Sequence, residues 1–307
     1  MDKITESLLK LVSDWDDSVY DGAYNIRENG GCAGRQSTDT IRIEPKEGGK
    51  GIDIYVEPGT KDEKVYIPAC ISKGNVDDIV YNDFHIGEGA DVTVVAGCGV
   101  HTDDDEGSRH NGIHRFFLEK DSRVVYEEKH VGTGEGEGTK SIDPETEVDL
   151  KEGAILEMNT QQLSGVDHSV RITRGTLGAR AKLIIHESIL TDGNQYAKTD
   201  FDVRMEGEDS AVDLISRSVA KDDSYQEYHS KIRGESRCTG HSECDAILVG
   251  NGKVNAAPEL YAGDLDAALI HEAAIGKVAG EQILKLKTLG LTEEEAEQRI
   301  INGFLSA

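Results

Sequence analysis

The sequence predicts a mainly β protein: a right-handed parallel β-helix with a short N-terminal helix and a C-terminal helical hairpin. Three observations carry this reading. One phrase recurs through the middle of the chain, glycines stand at its corners, and the final segment changes from strand to helix periodicity. The phrase is a turn rich in Gly, Asp or Ser, then a small residue, then an alternating apolar strand, as in residues 88–94, 120–126, 152–158, 179–185 and 208–214. Its small residues, Ala90, Ser122, Ala154, Ala181 and Ser210, stand 32, 32, 27 and 29 residues apart. Such spacing, with strands and no helical pattern, denotes stacked coils. Leucine-rich repeats lack support because their leucine period is missing. A β-sandwich would give strands about every 8–12 residues with no longer echo. Corners of stacked coils also account for the 34 glycines.

The elements follow in order. Ile4, Leu8, Leu11, Val12 and Trp15 recur at helical spacing among acids, so residues 1–25 are expected to form an N-terminal amphipathic helix rather than a signal peptide. Residues 26–278 are the β-helix core. In residues 279–307, the stretch 281–289 reads as a helix that Gly290 stops in a left-handed conformation. Thr292 and Glu295 make a capping box for a second helix, whose stripe is Ala296, Ile300, Ile301 and Phe304. This hairpin is too small to bury both faces, so part of it is expected to meet a partner.

Bulk charge excludes several functions. Lys plus Arg number 33 against 59 Asp plus Glu, a formal net charge of −26. Nucleic acid and anionic membranes both require clustered cations, so neither is an expected partner. No apolar run approaches the ~20 residues needed to span a bilayer. Five cysteines are odd in number and sparse for this length, which fits a reduced cytoplasm and working thiolates rather than disulfides.

The candidate motifs need individual weighing. The tract from Gly132 to Ser141 is glycine-rich, but Thr139 separates Gly138 from Lys140, and Glu135 and Glu137 would repel phosphate. It reads as a flexible loop, and ATP is not expected to bind this chain. His101, His110 and His114 near Asp103, Asp104 and Asp105 match no closed metal site, so a structural or solvated role is expected. Cys238, His241 and Cys244 are three soft or borderline ligands within one short stretch. On a straight strand the cysteines share one face and His241 takes the other, unless Gly240 bends the strand and reunites them. His271 and Glu272 alternate in the same way, so one of the two is expected to reach an ion directly.

These residues sit in stretches that resemble the SufB/SufD family. The matching segments are Ser216–Ala220 with Gln226, Gly240–Val249, Leu269–Val278 with Glu281 and Gln282, and Gly290–Ala296 with Ile301–Phe304. His114-Arg115-Phe116 and the glycine tract add to the likeness, which covers the chain from about residue 85 onward and is closest to the short archaeal and clostridial SMS form. The resemblance implies a parallel β-helix that scaffolds transient iron–sulfur clusters together with a SufC-type ABC ATPase, which supplies all ATP chemistry. It implies pairing with a second SufB/SufD-like protomer, here expected to be a homodimer, a sulfur donor such as a cysteine desulfurase, and apo-protein acceptors. Reduced flavin, found in some relatives, is a further cofactor it admits. In SufB-like members a cysteine stands in the Cys-Asp motif and a glutamate in the His-Glu-Ala motif, here Cys244 and Glu272. Where longer chains carry a further acid, this sequence has Ile270, a departure that His271 or the partner protomer would have to offset. The expected metal ligands are thus Cys244, Glu272 and His271, with Cys238 and His241 secondary. The tail, through Ile283, Leu284, Leu286, Ile300, Ile301 and Phe304, is expected to dock the ATPase.

Three other readings compete, one of them a zinc-binding module at Cys238, His241 and Cys244. A SufD-like subunit would organise the ATPase without touching the cluster, and Cys244 counts against it. A β-helix carbohydrate-active enzyme would line its groove with aromatics, whereas this chain is 5% aromatic with one Trp.

Overall fold

The computed structural model describes residues 1–13, 15–16 and 20–306. After α1 (Lys3–Ser13), the hairpin β1 (Ala23–Glu28) and β2 (Gly31–Gln36) begins one sheet, and β3 (Ile41–Pro45) with β4 (Gly51–Val56) begins a second. The chain then runs mostly back and forth between the two sheets. The strands are β5 (Lys61–Ile71), β6 (Asp77–Ile86), β7 (Asp91–His101), β8 (Ser108–Leu118), β9 (Arg123–Thr133), β10 (Lys140–Ile142), β11 (Glu145–Leu150) and β12 (Ile155–Ser164). They continue as β13 (His168–Leu177), β14 (Lys182–Thr191), β15 (Tyr196–Met205), β16 (Ser210–Ala220), β17 (Tyr225–Gly234), β18 (Cys238–Leu248), β19 (Lys253–Ala262) and β20 (Ala267–Lys277). The tail is α2 (Gly280–Thr288) and α3 (Glu293–Leu305).

The first sheet runs β2-β1-β5-β7-β9-β12-β14-β16-β18-β20; the second runs from β3 to β19, with β10 and β11 sharing one coil. Apart from the two opening hairpins, the pairing is parallel. The result is a β-solenoid of about 8 turns with 59% of its residues in strands, as the repeat predicts. Ala90, Ser122, Ala154, Ala181 and Ser210 are all buried at one corner. Each donates its backbone N–H to the carbonyl three residues earlier, closing a turn. The residue just before each (Gly89, Asp121, Gly153, Arg180, Asp209) has a left-handed φ of 54° to 70°. A compact turn must therefore deliver a side chain small enough to sit beneath the next coil, which is why the phrase repeats.

Alternation along each strand sends apolar side chains into the lumen, where Phe84 and Phe116 stack with centroids 4.4 Å apart. α1 lies against the first sheet. It buries Leu8, Leu9 and Val12, while Leu11, which the helical stripe places inside, is 49% exposed. The helix approaches so closely that a Cβ on Gly97 would lie 2.4 Å from the Val12 carbonyl oxygen. The glycine tract also has a packing reason rather than a loose one. Gly136 and Gly138 donate to the carbonyls of Thr102 and Asp104 at 3.1 and 2.9 Å. A Cβ on either would come within 2.4 Å of that neighbouring backbone.

Outside the second sheet, one column of side chains alternates in sign from coil to coil: Asp83, Arg115, Glu147, Arg174, Asp202, Lys231 and Glu259. Arg115 grips Asp83 through two hydrogen bonds of 2.7 Å. At the end where the alternation fails, Asp53 faces Asp83, and Lys46 bridges both.

In the tail, Gly290 has φ 98° and ends the first helix as the sequence predicts. The capping box is present: Glu295 N–H donates to Thr292 Oγ1 at 3.1 Å, and Thr292 N–H to Glu295 Oε2 at 2.8 Å. α3 holds to the solenoid through buried Ala296 and Ile301, and Ser188 Oγ donates to the Leu305 carbonyl at 3.0 Å. Ile301, expected on the docking face, is fully buried and anchors its own helix instead. α2 buries none of its residues, and Leu284 and Leu289 are 63% and 71% exposed.

Candidate functional site

The candidate residues converge on the last two strands of the first sheet, where parity decides their partners. Along β18, Cys238, Gly240, Ser242, Cys244 and Ala246 point into the lumen, while His241, Glu243 and Asp245 point outward. β20 lies alongside with Ser242 opposite His271, Glu243 opposite Glu272 and Cys244 opposite Ala273. His271 therefore shares the inner face with Cys244, and Glu272 stands on the outer face. The register is unbroken through Gly240, so no bend reunites the faces. A Cβ there would press on a methyl group of Leu269 at 2.7 Å.

The outer face gathers a trio. His241, Glu243 and Glu272 each offer a ligand atom, all within 4.8 Å of one another. Asp213 is hydrogen-bonded to His241 Nδ1 at 2.8 Å, which leaves Nε2 as the free ring nitrogen, and Arg217 lies 3.8 Å from Glu243. One imidazole and two carboxylates form a set suited to a divalent ion such as Fe²⁺. Sequence reading missed Glu243. Its signal was the i, i+2 spacing from His241, which places both on the face opposite Cys244.

The inner face is different. Cys244 is 1% exposed and lies in a column of lumen residues running Glu128, Thr160, Glu187, Ser216, Cys244 and Ala273. Burial, reinforced by the charges of Glu187 and Asp245, pushes its thiol from 9.0 up to about 12. The sulfur is thus a protonated thiol in the free chain, and a metal would have to displace that proton. His271 is half-buried, and its Nδ1 lacks a hydrogen-bond partner among the described residues. Cys238 shares the face but sits six residues along the strand, roughly 20 Å from Cys244, outside any common coordination sphere.

Further along the lumen the polar column becomes a charged cluster. Arg171 donates to Glu128 at 2.7 Å and lies 3.3 Å from Glu187. Burial works to raise Glu128, yet Arg171 and His130 hold it well below the usual carboxylate range. Glu187 is raised by its burial, although Arg171, Ser216 and Thr199 oppose this. One guanidinium between two carboxylates thus pairs fully with Glu128. His110 and His114 are buried beside this cluster, while His101 pairs with Asp103 on the loop, the structural and solvated roles that their spacing predicts.

A second trio, Asp53, Asp83 and His85, also brings ligand atoms within 4.8 Å. Its carboxylates are already held by Lys46 and Arg115, which leaves them committed to cations of the protein itself.

The open end of the solenoid thus carries a buried thiol, an imidazole whose Nδ1 lacks a partner among the described residues, and an outward trio of one imidazole and two carboxylates, donor types that suit a metal. Residues 75–304 match the family described as SUF system FeS cluster assembly, SufBD core domain. The chain belongs to this SufBD family of iron–sulfur cluster assembly proteins. It is similar to an iron-sulfur cluster assembly SufBD family protein of Methanothermobacter thermautotrophicus, 28% identical over 88% of this chain and 66% of that protein. Similar proteins of the same description occur in Archaeoglobus fulgidus, at 27% identity over 88% of this chain and 72% of the relative, and in Methanocaldococcus jannaschii, at 29% over 88% and 86%. The chain thus spans about two thirds of the Methanothermobacter protein's length. No helix among the described residues is long and apolar enough to cross a membrane.

Proposed function

We propose that the chain is a cytoplasmic scaffold on which an iron–sulfur cluster is built and from which it is released. The observation that carries this reading is the open end of the solenoid. There β20 is the last strand of its sheet, and a single strand pair presents Cys244 inward and His241, Glu243 and Glu272 outward. A storage site would close four thiolates around its cluster. One inward thiol aided by the His271 imidazole on the same face binds more weakly, which suits cargo that must leave, and the outward trio would serve as a separate entry point for iron.

An unpaired strand edge is a template for another chain. A second copy seated on β20 would bring a second Cys244 to the same seam, and Ile270 and Ile275, 56% and 42% exposed, offer apolar surface for it. A SufC-type ATPase would dock on the tail through Leu284 and the half-buried Ile283, Leu286, Ile300 and Phe304. Beside them lies an open groove of about 760 Å³ walled by Leu289, Leu291 and Asn302. ATP-driven closure of that partner would strain the seam and uncover the thiol, a two-state coupling. Sulfur would come from a donor such as a cysteine desulfurase, and apo-proteins would take the product.

The test is anaerobic reconstitution with the ATPase, read by absorption spectrum and by iron and sulfide content. Cys244→Ala is expected to abolish cluster accumulation; normal accumulation would overturn the reading. The burial of Cys244 favours one competitor, a SufD-like organising subunit, and absence of iron from the wild-type complex would select it.

A further inference from the structure

The outer face of the second sheet carries a ladder of flat side chains with two rungs missing. From β3 to β8 the column reads Arg42, Tyr55, His85 and Phe117. The Arg42 guanidinium lies 4.6 Å above the Tyr55 ring, Tyr55 stacks on His85 at 4.7 Å, and His85 stacks on Phe117 at 5.3 Å, both ring pairs within 11° of parallel. The next two rungs are Asp149 and Thr176, which have no ring to offer. Flat groups then resume with Arg204, Arg233 and Tyr261.

Neighbouring strands lie about 4.8 Å apart, so Phe117 and Arg204 are roughly 14 Å apart along the column. The interval is a groove of about 400 Å³, walled by Phe117, Arg174, Thr176, Arg204 and Arg233. Phe117 stacks on His85 with one ring face and turns the other toward this groove. Charge narrows what fits. Arg233 is fully engaged by Asp202 at 2.6 and 3.1 Å and serves as a wall. Arg174 and Arg204 are half-exposed and only loosely paired, with their acids at 3.9 Å for one and 3.3 to 3.5 Å for the other. Asp149 is neutralised by Lys151 at 2.8 Å, whereas Glu147 limits how much negative charge the groove accepts.

We propose that this groove binds a planar heteroaromatic ring bearing one phosphate, a ligand of the mononucleotide class. The ring fills the missing rung on Phe117, and the phosphate is taken by Arg174 and Arg204. Aromatic stacking and bidentate guanidinium contacts are the two interactions that the site supplies. The groove has no phosphate-cradling loop, so the ligand is bound and not hydrolysed. It lies on the sheet opposite Cys244 and does not depend on the scaffold reading.

The experiment is calorimetric titration of the full chain, without any ATPase, using adenosine 5′-monophosphate, adenosine and ribose 5-phosphate as probes. The monophosphate is expected to bind once per chain and more tightly than either part. Phe117→Leu, which keeps an apolar side chain but removes the flat ring, should weaken it by roughly tenfold. Arg204→Gln should weaken the monophosphate by about tenfold and leave adenosine unchanged. Thr176→Trp fills the gap with the protein's own ring and should abolish binding. Thermal melts report folding; should Phe117→Leu fail to fold, the exposed positions Thr176 and Arg204 decide the matter. Absence of binding by the wild type, equal binding by Thr176→Trp, or ribose 5-phosphate binding as well as the monophosphate would each overturn the proposal.

Discussion

Cys244 and Glu272 lie on hydrogen-bonded neighbour strands, one register position apart, yet project to opposite faces of the sheet. The period of two along a strand imposes this. It separates an inner sulfur from an outer carboxylate by the thickness of a β-sheet, so the two cannot grasp one ion while the sheet is intact.

That separation gives the first prediction. Ferrous ion should bind the free chain at His241, Glu243 and Glu272, and Glu272→Gln should weaken it by at least roughly tenfold, since even indirect partners of a metal contribute that much. Cys244→Ser should leave ferrous affinity unchanged. Anaerobic equilibrium titration measures both, and a Cys244→Ser variant that loses ferrous binding would show that the two faces act together.

The thiol itself should be unreactive. With its pKa at about 12, alkylation of Cys244 should be slow near neutral pH and rise roughly tenfold per pH unit with no plateau below pH about 11. Exposed Cys32 should react first. The folded-state value lies above the unfolded one, so the thiol's contribution to stability is complete below pH 9 and is lost as pH climbs toward 12. Peptide mapping after timed alkylation checks the rate. Addition of the ATPase with ATP should accelerate it, and rapid labelling of the free chain at neutral pH would contradict the structure.

Much of the architecture was legible because each coil announces itself through a turn and a small buried residue. The parity of Cys244 against His241, and of His271 against Glu272, was legible too. The register of β18 on β20 was not, since local sequence does not say which residue of one coil lies over which of the next. Glu243 therefore went unseen as a partner of Glu272. Arg171 and Glu128 escaped for a similar reason: they are 43 residues apart and meet only across the lumen. Ile301 reads as part of an exposed stripe because helical periodicity identifies an apolar face but not what covers it.

That hidden lumen cluster predicts an acid limit. His114 is wholly buried and its pKa falls from 6.5 to about 4, chiefly through burial, with Glu128 opposing and His110, His130 and Arg171 adding to the depression. Its Nδ1 lies 2.8 Å from the Tyr126 hydroxyl, which itself donates to Glu128 at 2.7 Å, so Nδ1–H is the donor to Tyr126 and the ring is neutral. The folded value is below the unfolded one. The stability it contributes is therefore present above pH 6.5 and lost as pH falls toward 4, on the order of 3 kcal/mol. Denaturant melts across that window should show a shallower pH slope for His114→Gln than for the wild type. An unchanged slope would assign the acid sensitivity elsewhere.

The tail should be separable from the solenoid. Truncation after Gly280 removes both helices but only two buried side chains of the described fold, Ala296 and Ile301. The shortened chain should keep its β circular dichroism and lose co-purification with the ATPase. Persistence of the complex would move the docking face onto the coils.

The sign-alternating column outside the second sheet constrains how this chain can change in length. Excising one coil would set Arg115 beside Arg174, or Asp202 beside Glu147, and like charges directly opposite on neighbouring strands destabilise the pairing. Excising two restores the alternation. A single internal excision would need a bridging charge of opposite sign at the new join, as the Lys46 cation supplies between Asp53 and Asp83.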